Sequence, residues 1–432
     1  MQQSTSTVPT QQSVAPMRPH SVAIDTTEFR AGWRILLLAT LGVAVNANSS
    51  MLYAFGTLVI PLQKAFQWER GELQGAISFL FAGAVIGSQL VGWLNLRFGM
   101  RRITYISLVS LSSMFALMTM IGPSIVSFYV FLVLLPIASL GTMQVTWTHL
   151  VMLWFERNRG LALALMLSGT GIAAALIPST VTWAVQRWNW QAAFVVLAAL
   201  PIVLVLPLAL RWMKVPTAPI DVRAHGAIPA AKSATGIAFR IALRSPKFWC
   251  LNIALSLVVA SIVTMVTSTV PLLQDKGLTA AAASTIFGSF GLSLIVGRVL
   301  VGYLVDRLWA PGVAAVALAM PTLGCVLLTI ADASDTTLLF AAVFLVGIGA
   351  GAEFDVAAFL VARFFGIRDY GRLFGVHLGL ITLASALAPL LAGALYEATD
   401  SYSTTVMLCG AAFLVGALML LPLGRYPRFD AE

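Results

Sequence analysis

Apolar runs long enough to cross a bilayer recur from Trp33 to the end of the chain. They cover 33–62, 73–96, 103–122, 125–153, 161–186, 191–213, 248–272, 283–305, 311–331, 336–362, 373–397 and 402–423. A helix rises 1.5 Å per residue, so about 20 residues cross roughly 30 Å of hydrocarbon. In that solvent every backbone N–H and C=O must be paired internally, which leaves only helices or closed barrels. Barrel strands are about 10 residues of alternating polarity, and these runs are neither that short nor alternating. The chain is therefore expected to be an all-α polytopic membrane protein with twelve transmembrane helices. Composition agrees: 10% of residues are charged and 59% hydrophobic, against about 25% charged in a soluble domain.

An even span count puts both termini on one side. Of the 26 Lys and Arg residues, 21 fall in the termini and in segments on the termini's side, including Arg97, Arg101, Arg102, Arg307, Arg363, Arg368 and Arg372. The opposite loops hold Lys64, Arg70, Arg187 and Lys276. This bias predicts cytoplasmic termini in a multi-pass protein of the cell (inner) membrane. The same scatter argues against nucleic acid as a partner, because the net charge of +9 forms no basic domain. The expected partners are the lipid bilayer and a small solute, and the unit a functional monomer.

One long polar connection, 214–247, divides the spans six and six. The expected domains are a disordered cytoplasmic tail 1–32, a six-helix bundle 33–213, a basic cytoplasmic linker 214–247, a second six-helix bundle 248–423 and a tail 424–432. Two bundles that rock about a site between them form a secondary transporter. No enzyme is expected: no metal cluster, nucleotide loop or nucleophile–base pair stands out. Cys250, Cys325 and Cys409 lie in apolar segments without metal-ligand spacing. No cofactor is expected.

The halves echo each other after their second spans, with GWLNLRFGMRR from Gly92 to Arg102 and GYLVDRLWAPG from Gly302 to Gly312. These loops resemble the G-x-L-x-D-R-x-G-R-R signature of the major facilitator superfamily. Asn95 stands at the acidic position of the first copy; the second keeps Asp306 and Arg307 and loses the later basic pair. The resemblance implies a gating latch at the cytoplasmic face, carried by Asn95, Arg97, Arg101, Asp306 and Arg307. Three further stretches look like the monocarboxylate transporter and oxalate–formate antiporter branch. They are Trp154 to Pro178 with its S-G-x-G, Gly297-Arg298 with Gly302, and Asp369-Tyr370-Gly371 leading to His377.

Arg298 lies nine residues before Arg307, about 13 Å deep, and needs an anion there. It is either a structural partner for Glu353 or Asp355, or a fork-shaped receptor for a substrate carboxylate. The resemblance favours the second. Glu353 and Asp355, ten and eight residues before Arg363, are placed near the membrane middle. Two helical residues span about 200°, so the pair cannot share a face. One is expected to carry a proton or to pair structurally, with Glu353, the deeper, slightly favoured on the coupling side. His377 stands where the antiporters carry a lysine. It is either a packing histidine or a second proton-coupling and substrate group.

Span one offers Asn46, Ser50 and Tyr53 on neighbouring positions, and span four offers Gln144 and Trp147. Each is read either as substrate contact or as interhelical hydrogen bonding. His149, about six residues from the end of span four, either lines the cytoplasmic mouth or caps a helix neighbour. Pro136, Pro178 and Pro389 are expected to bend their spans, and Gly83, Gly87, Gly169, Gly171, Gly347, Gly349 and Gly351 to let helices approach. Together these readings predict a secondary transporter of a small organic carboxylate, coupled to H+ in symport. The alternatives are a carboxylate exchanger or efflux of amphipathic compounds.

Overall fold

The computed structural model describes residues 26–155, 158–213, 236–366 and 368–427. The expected tail up to residue 25, linker residues 214–235, the Glu156-Arg157 pair and Arg428 lie outside the described residues. Twelve spans follow one another as helices, within a few residues of the expected bounds at most ends. Among the described residues nine helices are long and apolar enough to cross a membrane, and the bent pair at the start makes a tenth. The other two are span 3, Met100–Met118, whose helix opens on Arg101 and Arg102, and span 4, which is broken into shorter pieces.

The breaks have local causes. Span 1 is two helices, Thr26–Val45 and Ala47–Phe66, bent by 45°. Asn46 sits between them in extended conformation. Its Oδ1 accepts from Ser49 N at 2.9 Å and its Nδ2 donates to Val43 O at 2.7 Å. It caps the new helix and ties off the old one. Span 4 runs Ile125–Ala138, a 3-10 turn Leu140–Thr142, then Gln144–Trp154. Pro136 lacks the amide the ladder needs, and the helix stops two residues later. Span 5 divides at Ser168 into Arg159–Leu167 and Gly169–Arg187. In span 6, Pro201 coincides with a π-helical turn, Leu200–Val205, between Trp190–Ala199 and Leu206–Trp212. The helices run on without a break through Pro178 and Pro389.

The second half is more regular: Pro246–Asp275, Ala280–Val305, Ala310–Ile330, Thr336–Phe365, Tyr370–Thr399 and Ser403–Leu420. Both described chain ends lie on one face, here the terminal face; the opposite one is the distal face. The described end of the linker docks on the span 10–11 turn at the terminal face. Ile237 N donates to Phe365 O, and Phe239 N donates to Asp369 Oδ2, each at 2.9 Å.

Spans 1–6 and 7–12 each pack as a bundle. The two bundles meet along spans 2 and 11, 5 and 8, and 1 and 7. The span 5–8 contact is made backbone to backbone. A Cβ on Gly291 would collide with Gly171 O and Ala175 N, so glycine is the residue that permits the approach.

Candidate substrate site at the bundle interface

Arg298 lies seven residues before Val305, the last residue of its helix, about 10 Å in from the terminal end of span 8. Span 10 reaches it through a glycine face. A Cβ on Gly351 would collide with Leu294 O and stand 2.8 Å from Arg298 N. Asp355, one helical turn beyond Gly351 on that face, lands beside the guanidinium, with Oδ2 3.5 Å from Arg298 Nε. From the other bundle, Thr170 Oγ1 accepts from a terminal guanidinium nitrogen at 3.5 Å. That hydroxyl spends its own proton on Leu167 O at 2.8 Å, so only lone pairs are left for Arg298.

Charge-assisted bonds of this kind usually run about 2.7–2.9 Å; both contacts to Arg298 are longer. The side chain is 7% exposed, and its buried Nε has no hydrogen-bond acceptor among the described residues. A guanidinium offers five donors in a planar fork. The side-on contact to Asp355 leaves most of that fork unfilled.

Glu353 points elsewhere on span 10, as two residues of helix require. Its Oε2 is buried without a hydrogen-bond partner among the described residues. It still lies within electrostatic range of Arg298, Asp355 and Tyr53. Tyr53 comes from span 1 of the opposite bundle. Its ring is 6.4 Å from that of Phe290, on which Phe287 stacks at 5.3 Å. The fold thus gathers Tyr53, Thr170, Arg298, Glu353 and Asp355 from spans 1, 5, 8 and 10. Of the two carboxylates, Asp355 makes the direct ion pair with Arg298.

The remaining candidates are spread more widely. His377 is 1% exposed, and its Nδ1 is 2.9 Å from Asn252 Oδ1 on span 7, with the Phe374 ring 5.6 Å away. Asn46 spends its side chain on the helix break. Ser50 Oγ and Asn48 Oδ1, close by, are buried without partners among the described residues. Trp147 is fully buried; its Nε1 donates to Thr142 O at 3.0 Å and its ring fills the space over Gly42. Gln144 is half-buried at the start of its helix and His149 is exposed.

The latch candidates make short-range contacts. Asn95 Nδ2 donates to Thr146 Oγ1 on span 4 at 3.2 Å. Arg97 lies over Trp93, and Arg101 Nε donates to Tyr105 at 3.4 Å. Arg307 covers Tyr303, and Asp306 is exposed at the end of its helix.

A second polar group joins the bundles at the distal face and was not among the expected site residues. Arg70, opening span 2, forms a two-pronged ion pair with Asp275, closing span 7; the second prong is 2.9 Å. The same guanidinium donates to Tyr396 of span 11 at 2.8 Å and to Gln63 of span 1 at 3.1 Å. Gln74 Nε2 donates to Tyr402 at 3.3 Å. Gly71 and Gly393 touch through their backbones. Together with Thr182 and Ser284, whose hydroxyls are 2.6 Å apart, these contacts close the seam distally. Arg298–Thr170 is the cross-bundle polar contact nearest the terminal face among the described residues. The arrangement is a buried cation at the junction of two bundles, sealed on the distal side. Among the described residues no group of three or more His, Cys, Asp or Glu is placed to hold a metal.

Comparison with known proteins matches the profile described as Major Facilitator Superfamily to residues 38–332. Monocarboxylate transporter 13 of Bos taurus is 24% identical over 406 residues, 93% of this chain and 91% of its own length. A gentisate transporter of Corynebacterium glutamicum is 24% identical over 87% of this chain and 84% of its own. Among solved structures, a D-xylose-proton symporter superposes with a TM-score of 0.69 at 15% identity, covering 93% of this chain and 99% of its own.

Proposed function

The chain belongs to the major facilitator superfamily, and we propose that this transporter moves a small organic carboxylate together with a proton. The observation that carries the reading is Arg298. It is a buried guanidinium, held loosely by Asp355 from its own bundle and by Thr170 from the other, with donors to spare. A carboxylate matches that fork in charge and shape. The names of two relatives, a monocarboxylate and a gentisate transporter, point to the same class.

In this scheme the substrate carboxylate takes the end-on face of Arg298 while Asp355 keeps or yields the side-on contact. Glu353, whose Oε2 is shut away from water without a hydrogen-bond donor among the described residues, carries the proton. Loading adds one anion and one proton, so the full site carries the same net charge as the empty one; substrate without the proton would add an uncompensated buried charge, so the bundles move when both are bound. Tyr53 and the Phe290 ring border the site on the side of span 1. His377, bonded to Asn252, joins spans 7 and 11 within the second bundle. The excess of Lys and Arg on the terminal face supports a cytoplasmic orientation for that face. The bundles, sealed distally, are then in the state that opens inward.

The test is uptake into proteoliposomes loaded with no substrate. An imposed proton gradient drives accumulation of benzoate or another small carboxylate by the wild type. Arg298→Lys keeps the charge and loses the fork. It raises the half-saturating concentration at least tenfold, the equivalent of about 1.4 kcal/mol at the low end of a charged hydrogen bond. Uptake only against preloaded carboxylate would show an exchanger instead. Carboxylate transport at wild-type affinity by Arg298→Lys would sink the role given to Arg298.

A further inference from the structure

A cavity of about 420 Å³ opens at the distal face, on the span 5–8 side of the seam. Its walls come from both bundles: Ile60 and Lys64 of span 1, Gln186 of span 5, Trp190 of span 6 and Gln274 of span 7. Thr182, bonded to Ser284, also borders it. Thr182 and Thr170 are 12 residues apart on span 5, about 18 Å along a helix, so the cavity is distinct from the Arg298 site. The lining is mostly apolar, with one cation. Among the described residues no carboxylate lies within ion-pair distance of Lys64. The side-chain amides of Gln186 and Gln274 also have no hydrogen-bond partner there.

We propose that this cavity is a second binding site, for an amphipathic organic anion. The acid group pairs with Lys64 and accepts from the amides of Gln186 and Gln274. The apolar body lies against Ile60 and the Trp190 ring. The volume falls within the roughly 300–1,000 Å³ typical of small-ligand pockets. Ligand and walls are complementary in charge, which Lys64 supplies, and in polarity, which the remaining lining supplies. Because the walls belong to both bundles, an occupant bridges them. Its binding free energy then adds to the distally closed state and opposes opening at that face. The site stands apart from whatever Arg298 binds.

The probe is radiolabelled benzoate, bound at equilibrium to the purified full-length protein in neutral detergent. Arg298→Gln is expected to retain a binding component that Arg298→Gln/Lys64→Ala loses by at least tenfold in affinity. Lys64→Arg is expected to retain it. Should Arg298→Gln fail to fold, Lys64→Ala alone removes one of two components from the wild type. Spin labels on Ser124 and Ser334, exposed distal positions of opposite bundles, give the second readout. Benzoate should raise the short-distance population in Arg298→Gln and leave the double variant unchanged. Repeating the titration in nanodiscs with and without phosphatidylglycerol tells a soluble acid from a lipid headgroup. Competition by the lipid names the headgroup, and its absence names the soluble acid. Benzoate binding to Arg298→Gln that ignores Lys64→Ala, or no such binding at all, overturns the site. If Arg298 binds no carboxylate, wild type and Arg298→Gln bind benzoate alike and Lys64 still governs it. The two failures are therefore distinguishable.

Discussion

Replacing Arg70 with Ala removes the centre of the distal clamp. The side chain makes two bonds to Asp275, one to Tyr396 and one to Gln63, reaching spans 7, 11 and 1 from span 2. Hydrogen bonds to charged groups contribute about 1.5–3 kcal/mol each when sheltered, and exposed ion pairs about 0–1. The side chains of Arg70 and Asp275 are 16% and 35% exposed, which puts the pair between those limits. Counting the three cross-bundle bonds at a screened ~0.7 kcal/mol each gives about 2 kcal/mol lost from the closed state. At 1.36 kcal/mol per decade that is roughly a thirtyfold shift toward the distally open form. The Ser124–Ser334 spin-label pair reads it directly, as a long-distance population that grows in Arg70→Ala. Asp275→Asn should move it in the same direction by less, since the contacts to Tyr396 and Gln63 survive. The double variant should fall short of the sum, because both changes remove the same bonds. An unchanged distance distribution in Arg70→Ala would refute the argument that this cluster holds the face shut.

Three further outcomes follow from the geometry. Glu353→Gln should abolish accumulation driven by a proton gradient while substrate counterflow persists, measured in the same proteoliposomes; gradient-driven uptake that survives would move the proton elsewhere. Gly351→Val should lower the melting temperature of the purified protein and weaken carboxylate binding together. Its Cβ would collide with Leu294 O beside Arg298, and overpacking costs about 1–3 kcal/mol. Asn46→Ala should cost about 1 kcal/mol for the lost cap, read by thermal unfolding, whereas Asn46→Ser, whose hydroxyl can still accept from the Ser49 amide, should recover part of it.

Much of the architecture was legible because lipid leaves so few choices. An apolar run of 20 or more residues has one solution, and Arg298 could be placed in depth by counting back from Arg307. The angle between Glu353 and Asp355 was legible for the same reason. Which of the two meets Arg298 was not. It depends on Gly347 and Gly351 turning one face of span 10 toward span 8, a contact between residues about 50 positions apart. Asn46 stands in the sequence as one of several polar positions in span one. A mid-span Asn can bond a neighbour or its own backbone, and only the 45° bend shows that it does the second. Thr170 carries no signal of its own, since membrane hydroxyls commonly bond back to their own helix, as this one also does. Arg70 counts only as a loop charge in the sequence, and nothing there points to Asp275, because their pairing joins elements 205 residues apart.

The backbone contact between spans 5 and 8 has an electrical meaning. A carrier in a membrane that holds a proton gradient must also be an insulator, since a single file of water through its middle would short the membrane. Where Gly171 and Ala175 meet Gly291, the two helices leave no room for a side chain and so none for water, whose share of liquid volume is about 30 Å³. The smallest residues in the seam thus keep water out of the span 5–8 contact, just distal to the Arg298 guanidinium.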